Sequence, residues 1–174
     1  MPLLGLAVAC AAPGERGPDF ALAPSALPNL GLMAGASVPL DRGPAERRHW
    51  RAEARFIDQF LDDKAIADNG LEPAGDWTQL ELGLRRDGPI EDRLRWSWRA
   101  GLVGFEARGE PNMIDEPGKY FGVYFGFGRF VDFGHGFSFG PEASVLVASG
   151  EEDPFVMVPQ LTWGLRWAPQ RKAE

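Results

Sequence analysis

The sequence predicts an all-β fold: an antiparallel up-and-down closed β-barrel of eight strands that crosses a membrane. Three observations point there. Successive segments alternate apolar and polar residues with a period of two, the mark of strands with one greasy and one polar face. These segments run to roughly 10–14 residues, beyond the soluble mode of about 5–6 and long enough to cross a bilayer. The connections alternate between short turns and longer loops, as an up-and-down barrel requires.

The clearest element is the last, Pro154–Trp167. Phe155, Met157, Pro159, Leu161, Trp163, Leu165 and Trp167 share one face; Val156, Val158, Gln160, Thr162, Gly164 and Arg166 share the other. Earlier segments follow the same grammar. Leu30, Leu32, Ala34, Ala36, Val38 and Leu40 oppose Gly31, Met33, Gly35 and Ser37, with a turn at Asp41–Pro44. Thr78, Leu80, Leu82 and Leu84 oppose Gln79, Glu81, Gly83 and Arg85, and Asp87-Gly88-Pro89 reads as the next turn. Leu94, Trp96, Trp98, Ala100 and Leu102 oppose Arg93, Arg95, Ser97 and Arg99. Phe121, Val123, Phe125 and Phe127 oppose Tyr120, Gly122, Tyr124, Gly126 and Gly128. Phe137, Phe139, Ala143, Val145 and Val147 oppose Ser138, Gly140, Glu142 and Ser144.

Residues 45–68 admit two readings. As a strand, Trp50, Ala52, Ala54, Phe56 and Phe60 oppose Arg51, Glu53, Arg55, Ile57 and Gln59. As a helix, Trp50, Ala54, Ile57 and Leu61 form a stripe, with Asn69-Gly70 as a stop. The strand keeps the common parity and is preferred. Turns near 41–46, 87–92 and 132–136 are short, whereas loops at 62–75, 108–118 and 149–153 belong to the other end. Both termini reach the short-turn end only if a further strand lies near 18–25, where Asp19–Ala23 is the one strand-like piece. The organisation is then a possible signal peptide over 1–12, a Pro-rich segment with a weak first strand over 13–28, the barrel over 29–168, and a polar tail over 169–174.

The N-terminal run Pro2–Ala12 is apolar and carries Ala9-Cys10-Ala11, a small-x-small pattern that fits a secretory cleavage site. No Lys or Arg precedes the run, which departs from that pattern. Leu6–Cys10 loosely resembles a lipoprotein signal with Cys10 as the acylated residue; a packed N-terminal segment is the third reading. A single cysteine excludes an intrachain disulfide, and His49 and His135 do not make a metal spacing, so neither metal nor cofactor is expected. The net charge of −7 argues against nucleic acid as a partner.

The same pattern serves two opposite structures: a membrane barrel with the greasy set toward lipid, or a soluble lipocalin-like barrel or sandwich with that set inside. The polar set favours membrane. It is rich in Arg and Gly with Glu, Tyr, Gln and Ser, while the whole chain has only Lys64, Lys119 and Lys172. Arg suits packed, multiply bonded sites and Lys a wet surface. If Arg85 and Arg93 flank the turn symmetrically, Glu81 opposes Ser97 with Arg95 and Arg99 at the diagonals, an acid between guanidiniums. Asp58 and Arg129 break the parity and call for a bulge or a place at the bilayer edge.

In these respects the chain resembles the small eight-stranded outer-membrane barrels of Gram-negative bacteria, of the OmpA-domain and OmpX type, over about residues 18–167. Thr162-Trp163-Gly164-Leu165-Arg166-Trp167 is similar to the C-terminal signal that such barrels show to their insertion machinery, although Ala168–Glu174 follow it here. The resemblance implies an exported outer-membrane protein, with membrane lipid or lipopolysaccharide and the insertion machinery as partners. It also implies a plugged Arg/Glu lumen and a structural or surface-interaction role without catalysis. Some such barrels modify lipid A as deacylases or acyltransferases, and the one comparable grouping here is His135, Ser138 and Glu142. A relay needs nucleophile and base in hydrogen-bond reach; parity puts Ser138 and Glu142 inside and His135 outside, and His-x-x-Ser differs from the deacylases' His-x-Ser. A soluble barrel binding an apolar ligand is the remaining alternative.

Overall fold

A computed structural model describes residues 18–27, 31–40, 50–59, 76–108, 117–151 and 155–168. Eight strands form a closed antiparallel barrel in sequence order: β1 Asp19–Leu27, β2 Gly31–Pro39, β3 Trp50–Gln59, β4 Asp76–Glu91, β5 Leu94–Arg108, β6 Gly118–Gly134, β7 Phe137–Gly150 and β8 Val156–Trp167. The first strand, locally the weakest signal, is nine residues long and closes the barrel against β8. Residues 50–59 are strand, so the helical alternative does not hold there: Arg51, Glu53, Arg55 and Ile57 are all buried on one side. The possible signal peptide over 1–12 with Cys10, the loop 62–75, the turn near 41–46 and the tail 169–174 lie outside the described residues.

The register fixes the barrel's geometry. A circuit from Arg166 through Ala21, Gly35, Arg55, Glu81, Val103, Gly122 and Ala148 returns to β8 at Val156, a stagger of ten residues. With eight strands about 4.8 Å apart, that stagger tilts the strands by about 40°.

The β4–β5 hairpin differs from the expected one. The chain does not turn at Asp87-Gly88-Pro89; the strands continue through a bulge between Asp87 and Ile90 and turn at Asp92-Arg93, both at positive φ. Pro89 has no N–H to give to a ladder, so a bulge is where a strand can hold it. Arg85 therefore faces Arg99 rather than Arg93, Glu81 faces Val103, and Ser97 faces Asp87. Arg93, expected on the lumen face, is exposed in the turn.

The greasy set points outward: Leu102 is 67% and Phe121 71% exposed, and Leu80, Leu82, Leu84, Trp96, Trp98, Val123, Phe125, Trp163 and Trp167 share that face. Arg51, Arg55, Arg85, Arg99 and Arg166 are buried inside. This is the reverse of a soluble barrel, whose greasy set would fill the interior, and it matches a barrel solvated by lipid. Neither Asp58 nor Arg129 needs a bulge, since the ladder runs unbroken through both. Asp58 accepts a bond from Thr78 Oγ1 at 3.1 Å near the loop end, and Arg129 lies toward the turn end. On β6 the outward stretch between Lys119 and Arg129 rises about 26 Å at that tilt, close to the ~25 Å apolar band of such barrels.

Inside, room for large side chains comes from glycine. A Cβ on Gly83 would stand 2.5 Å from the Tyr124 hydroxyl, and one on Gly101 would stand 2.2 Å from the Leu82 carbonyl oxygen. Substituting Gly83→Val should lower stability by about 1–3 kcal/mol, read from urea unfolding in lipid vesicles. By contrast, Tyr124→Phe should be neutral or slightly stabilising, because the buried hydroxyl has no hydrogen-bond partner among the described residues.

Candidate functional site

Among the described residues, charge is concentrated and organised in the interior. Inward parity on β1, β3, β4, β5, β7 and β8 brings five buried arginines, Arg51, Arg55, Arg85, Arg99 and Arg166, against five buried carboxylates, Asp19, Glu53, Glu81, Asp87 and Glu142. The equal numbers leave this set with no net charge.

Their contacts form a ring. Arg85 reaches Glu53 at 3.0 Å, Asp87 at 3.0 Å and Asp19 at 2.5 Å. Glu53 takes Arg55 Nε at 2.7 Å, and Arg55 pairs bidentately with Glu142. Glu142 also takes Arg166 at 2.8 Å and Arg99 Nε at 2.7 Å, and Arg166 returns to Asp87 at 3.5 Å. Arg51 adds to Asp19 at 3.1 Å, and Arg99 to Glu81. The planar fork of arginine allows this, because each guanidinium can address two acids at once. Two aromatic rings complete the shell: Arg166 lies 3.5 Å over the Phe130 ring and Arg99 4.9 Å over Tyr124.

Above the ring the interior changes character. Gln79 and Gln160 bond at 2.7 Å, and Gln79 also donates to Glu81 at 2.6 Å. Toward the long-loop end the lining becomes apolar: Val103, Phe105, Ala107, Tyr120, Leu146, Ala148, Val156 and Val158 pack together, with Phe105 and Tyr120 stacked at 4.9 Å. Sequence reasoning missed this layer by treating the inner face as mostly polar. The signal was present in Val156 and Val158 and in the Val103–Ala107 extension of β5.

His135, Ser138 and Glu142 are not assembled into a relay. His135 is exposed in the β6–β7 turn at φ +53, between Gly134 and Gly136 at +80 and +84. Ser138 is buried opposite Arg166, and Glu142 is held by Arg55, Arg99 and Arg166. No hydrogen bond joins His135 to Ser138 among the described residues. Nor do those residues gather three or more His, Cys, Asp or Glu side chains able to hold a metal.

No family model and no curated protein matches the chain. Solved structures do. The N-terminal β-barrel domain of Pseudomonas aeruginosa OprF aligns over 86% of this chain and 96% of its own, with 12% identity and a TM-score of 0.55. Neisserial surface protein A aligns over 87% and 92%, with 14% identity and a TM-score of 0.48. The Yersinia pestis outer membrane protein Ail, in a phospholipid bilayer nanodisc, aligns over 87% and 99%, with 12% identity and a TM-score of 0.48. The likeness to the OprF domain establishes a shared barrel fold, the architecture expected from the sequence resemblance.

Removing one member of the ring tests its weight. Glu142→Ala leaves Arg55, Arg99 and Arg166 short of a buried counter-charge and should destabilise by about 3–5 kcal/mol. The exposed Glu106, paired with Arg108 at 3.3 Å, should be replaceable by Gln without a measurable shift in the same urea midpoint.

Proposed function

We propose that this protein is a non-enzymatic bacterial outer-membrane barrel whose lumen is closed by its own side chains, and which acts structurally or by presenting its long-loop end to the surroundings. The single observation that carries the reading is the distribution of charge. A neutral, mutually paired set of arginines and carboxylates occupies the turn-side half of the interior, and apolar side chains occupy the loop-side half. An ion crossing this interior must displace buried ion pairs and then pass a layer lined mainly by apolar side chains. Both steps cost several kcal/mol.

Export and outer-membrane insertion belong to the same proposal. The closing strand presents Thr162, Gly164 and Arg166 inward and Trp163, Leu165 and Trp167 outward, a form suited to the insertion machinery. Lipopolysaccharide is the proposed neighbour at the long-loop end, where the outer side carries Asp58, Thr78, Glu106, Arg108 and Lys119. The buried commitment of Glu142 to three arginines supports a role without catalysis.

Cell envelopes should yield the protein only with detergent, and its gel mobility should change on boiling; recovery in the soluble periplasmic fraction would remove the reading. In planar bilayers the purified barrel should show no steady conductance, whereas a stable open channel would contradict a closed lumen. Lipid A profiles should be the same with the protein and with its Ser138→Ala variant; an acylation change that needs Ser138 would make it a lipid-modifying enzyme.

A further inference from the structure

Three described arginines, Arg86, Arg93 and Arg129, have no carboxylate partner, while the other described arginines each pair with an acid. Arg93 is in the β4–β5 turn. Arg86 and Arg129 stand on the lipid-facing side, where a charge needs a reason. Each lies over a tryptophan: Arg86 is 5.5 Å from the Trp50 ring and Arg129 4.7 Å from the Trp96 ring.

The register puts the two at one height. Arg86 is five residues toward the turn end from Glu81 on β4, and Arg129 is seven from Gly122 on β6. The row joining Glu81 to Gly122 climbs about 2.5 residues across those two strand steps, which cancels the difference. At one height, two strand spacings at that tilt set their backbones about 12 Å apart, a quarter turn around the eight-stranded wall, with Trp96 and Trp98 of β5 between them. Trp50, Trp96, Phe137 and Trp167 belong to the same turn-side belt, with Phe137 and Trp167 stacked at 6.1 Å. Tryptophan rings collect at the headgroup level of a bilayer, so these guanidiniums sit where lipid phosphates are. The acids of that hairpin's outer side lie beyond, Glu91 as the last residue of β4 and Asp92 in the turn.

We infer that Arg86 and Arg129, seated on Trp50 and Trp96, form two neighbouring docking positions, each for the phosphate of an anionic glycerophospholipid in the leaflet at the short-turn end. The guanidinium fork matches a phosphodiester oxygen pair, and the indole faces hold each fork at the height of the headgroups. This reading rests on the membrane barrel proposed above and gives its turn-side rim a chemical preference.

The test uses the full folded chain in mixed micelles, with phosphatidylglycerol and phosphatidylcholine of identical acyl chains competing and retained lipid read by native mass spectrometry. The native protein should retain phosphatidylglycerol preferentially, and added salt should weaken that preference. The double substitution Arg86→Gln/Arg129→Gln should reduce it about tenfold, the double Lys substitution should keep most of it, and Arg108→Gln at the other end should leave it unchanged. Equal retention of the two lipids by the native protein, a preference unmoved by salt, or one undiminished in the Gln variant would overturn the inference. If the Gln variant does not fold, as shown by loss of its heat-modifiable band, the native protein's lipid preference and its response to salt still decide. Failure of the native chain to fold into vesicles at all would instead sink the membrane-barrel reading.

Discussion

The interaction on which the structure depends is the closed ring of ion pairs from Arg85 through Glu53, Arg55, Glu142, Arg166 and Asp87 back to Arg85. It ties β3, β4, β7 and β8 together across the interior, where the backbone ladder joins only neighbours. Lipid outside removes the usual driving force for an apolar interior, so the strands must be held by what the inner face can offer. A ring of fixed charges in a low-dielectric space is strong only while every member has its partner. That condition explains the equal numbers of buried arginines and carboxylates and the near absence of lysine, whose single ammonium cannot bridge two acids in a plane.

The stagger of ten residues decides how the two ends of the lumen differ. Rows of paired residues climb around the barrel, so one row begins among charges at Arg166, Arg55 and Glu81 and finishes among apolar residues at Val103, Ala148 and Val156. The charged half lies toward the short turns and the apolar half toward the long loops. This layering is what the proposed closed lumen rests on; the side chains that line it belong to the strands themselves.

Outside, the two parity exceptions acquire roles from their height. Asp58 bonds to Thr78 at the loop side, and Arg129 rides on Trp96 at the turn side. Between them the outer wall is apolar over a bilayer's depth. The polar exceptions therefore mark where hydrocarbon ends, which is information carried by position and not by residue type.

By itself the sequence determined the strands and their two faces, because a period of two is a local property that each segment displays independently. It determined the polar members of the inward set, and it placed Glu81 between Arg95 and Arg99; Arg99 does pair with it, whereas Arg95 goes to Asp132. Three matters were left to the tertiary structure. The β4–β5 register depended on a bulge beside Pro89, which moved the turn to Asp92-Arg93 and changed every partner in that hairpin. The contact between Arg55 and Glu142 joins residues 87 apart on strands that are not neighbours, so no strand-pair argument reaches it. The first strand, faint in sequence at Asp19–Ala23, exists because closing the barrel gives it partners on both sides. Alternation is written in the chain, but closure, stagger and cross-lumen pairing arise only when all eight strands meet.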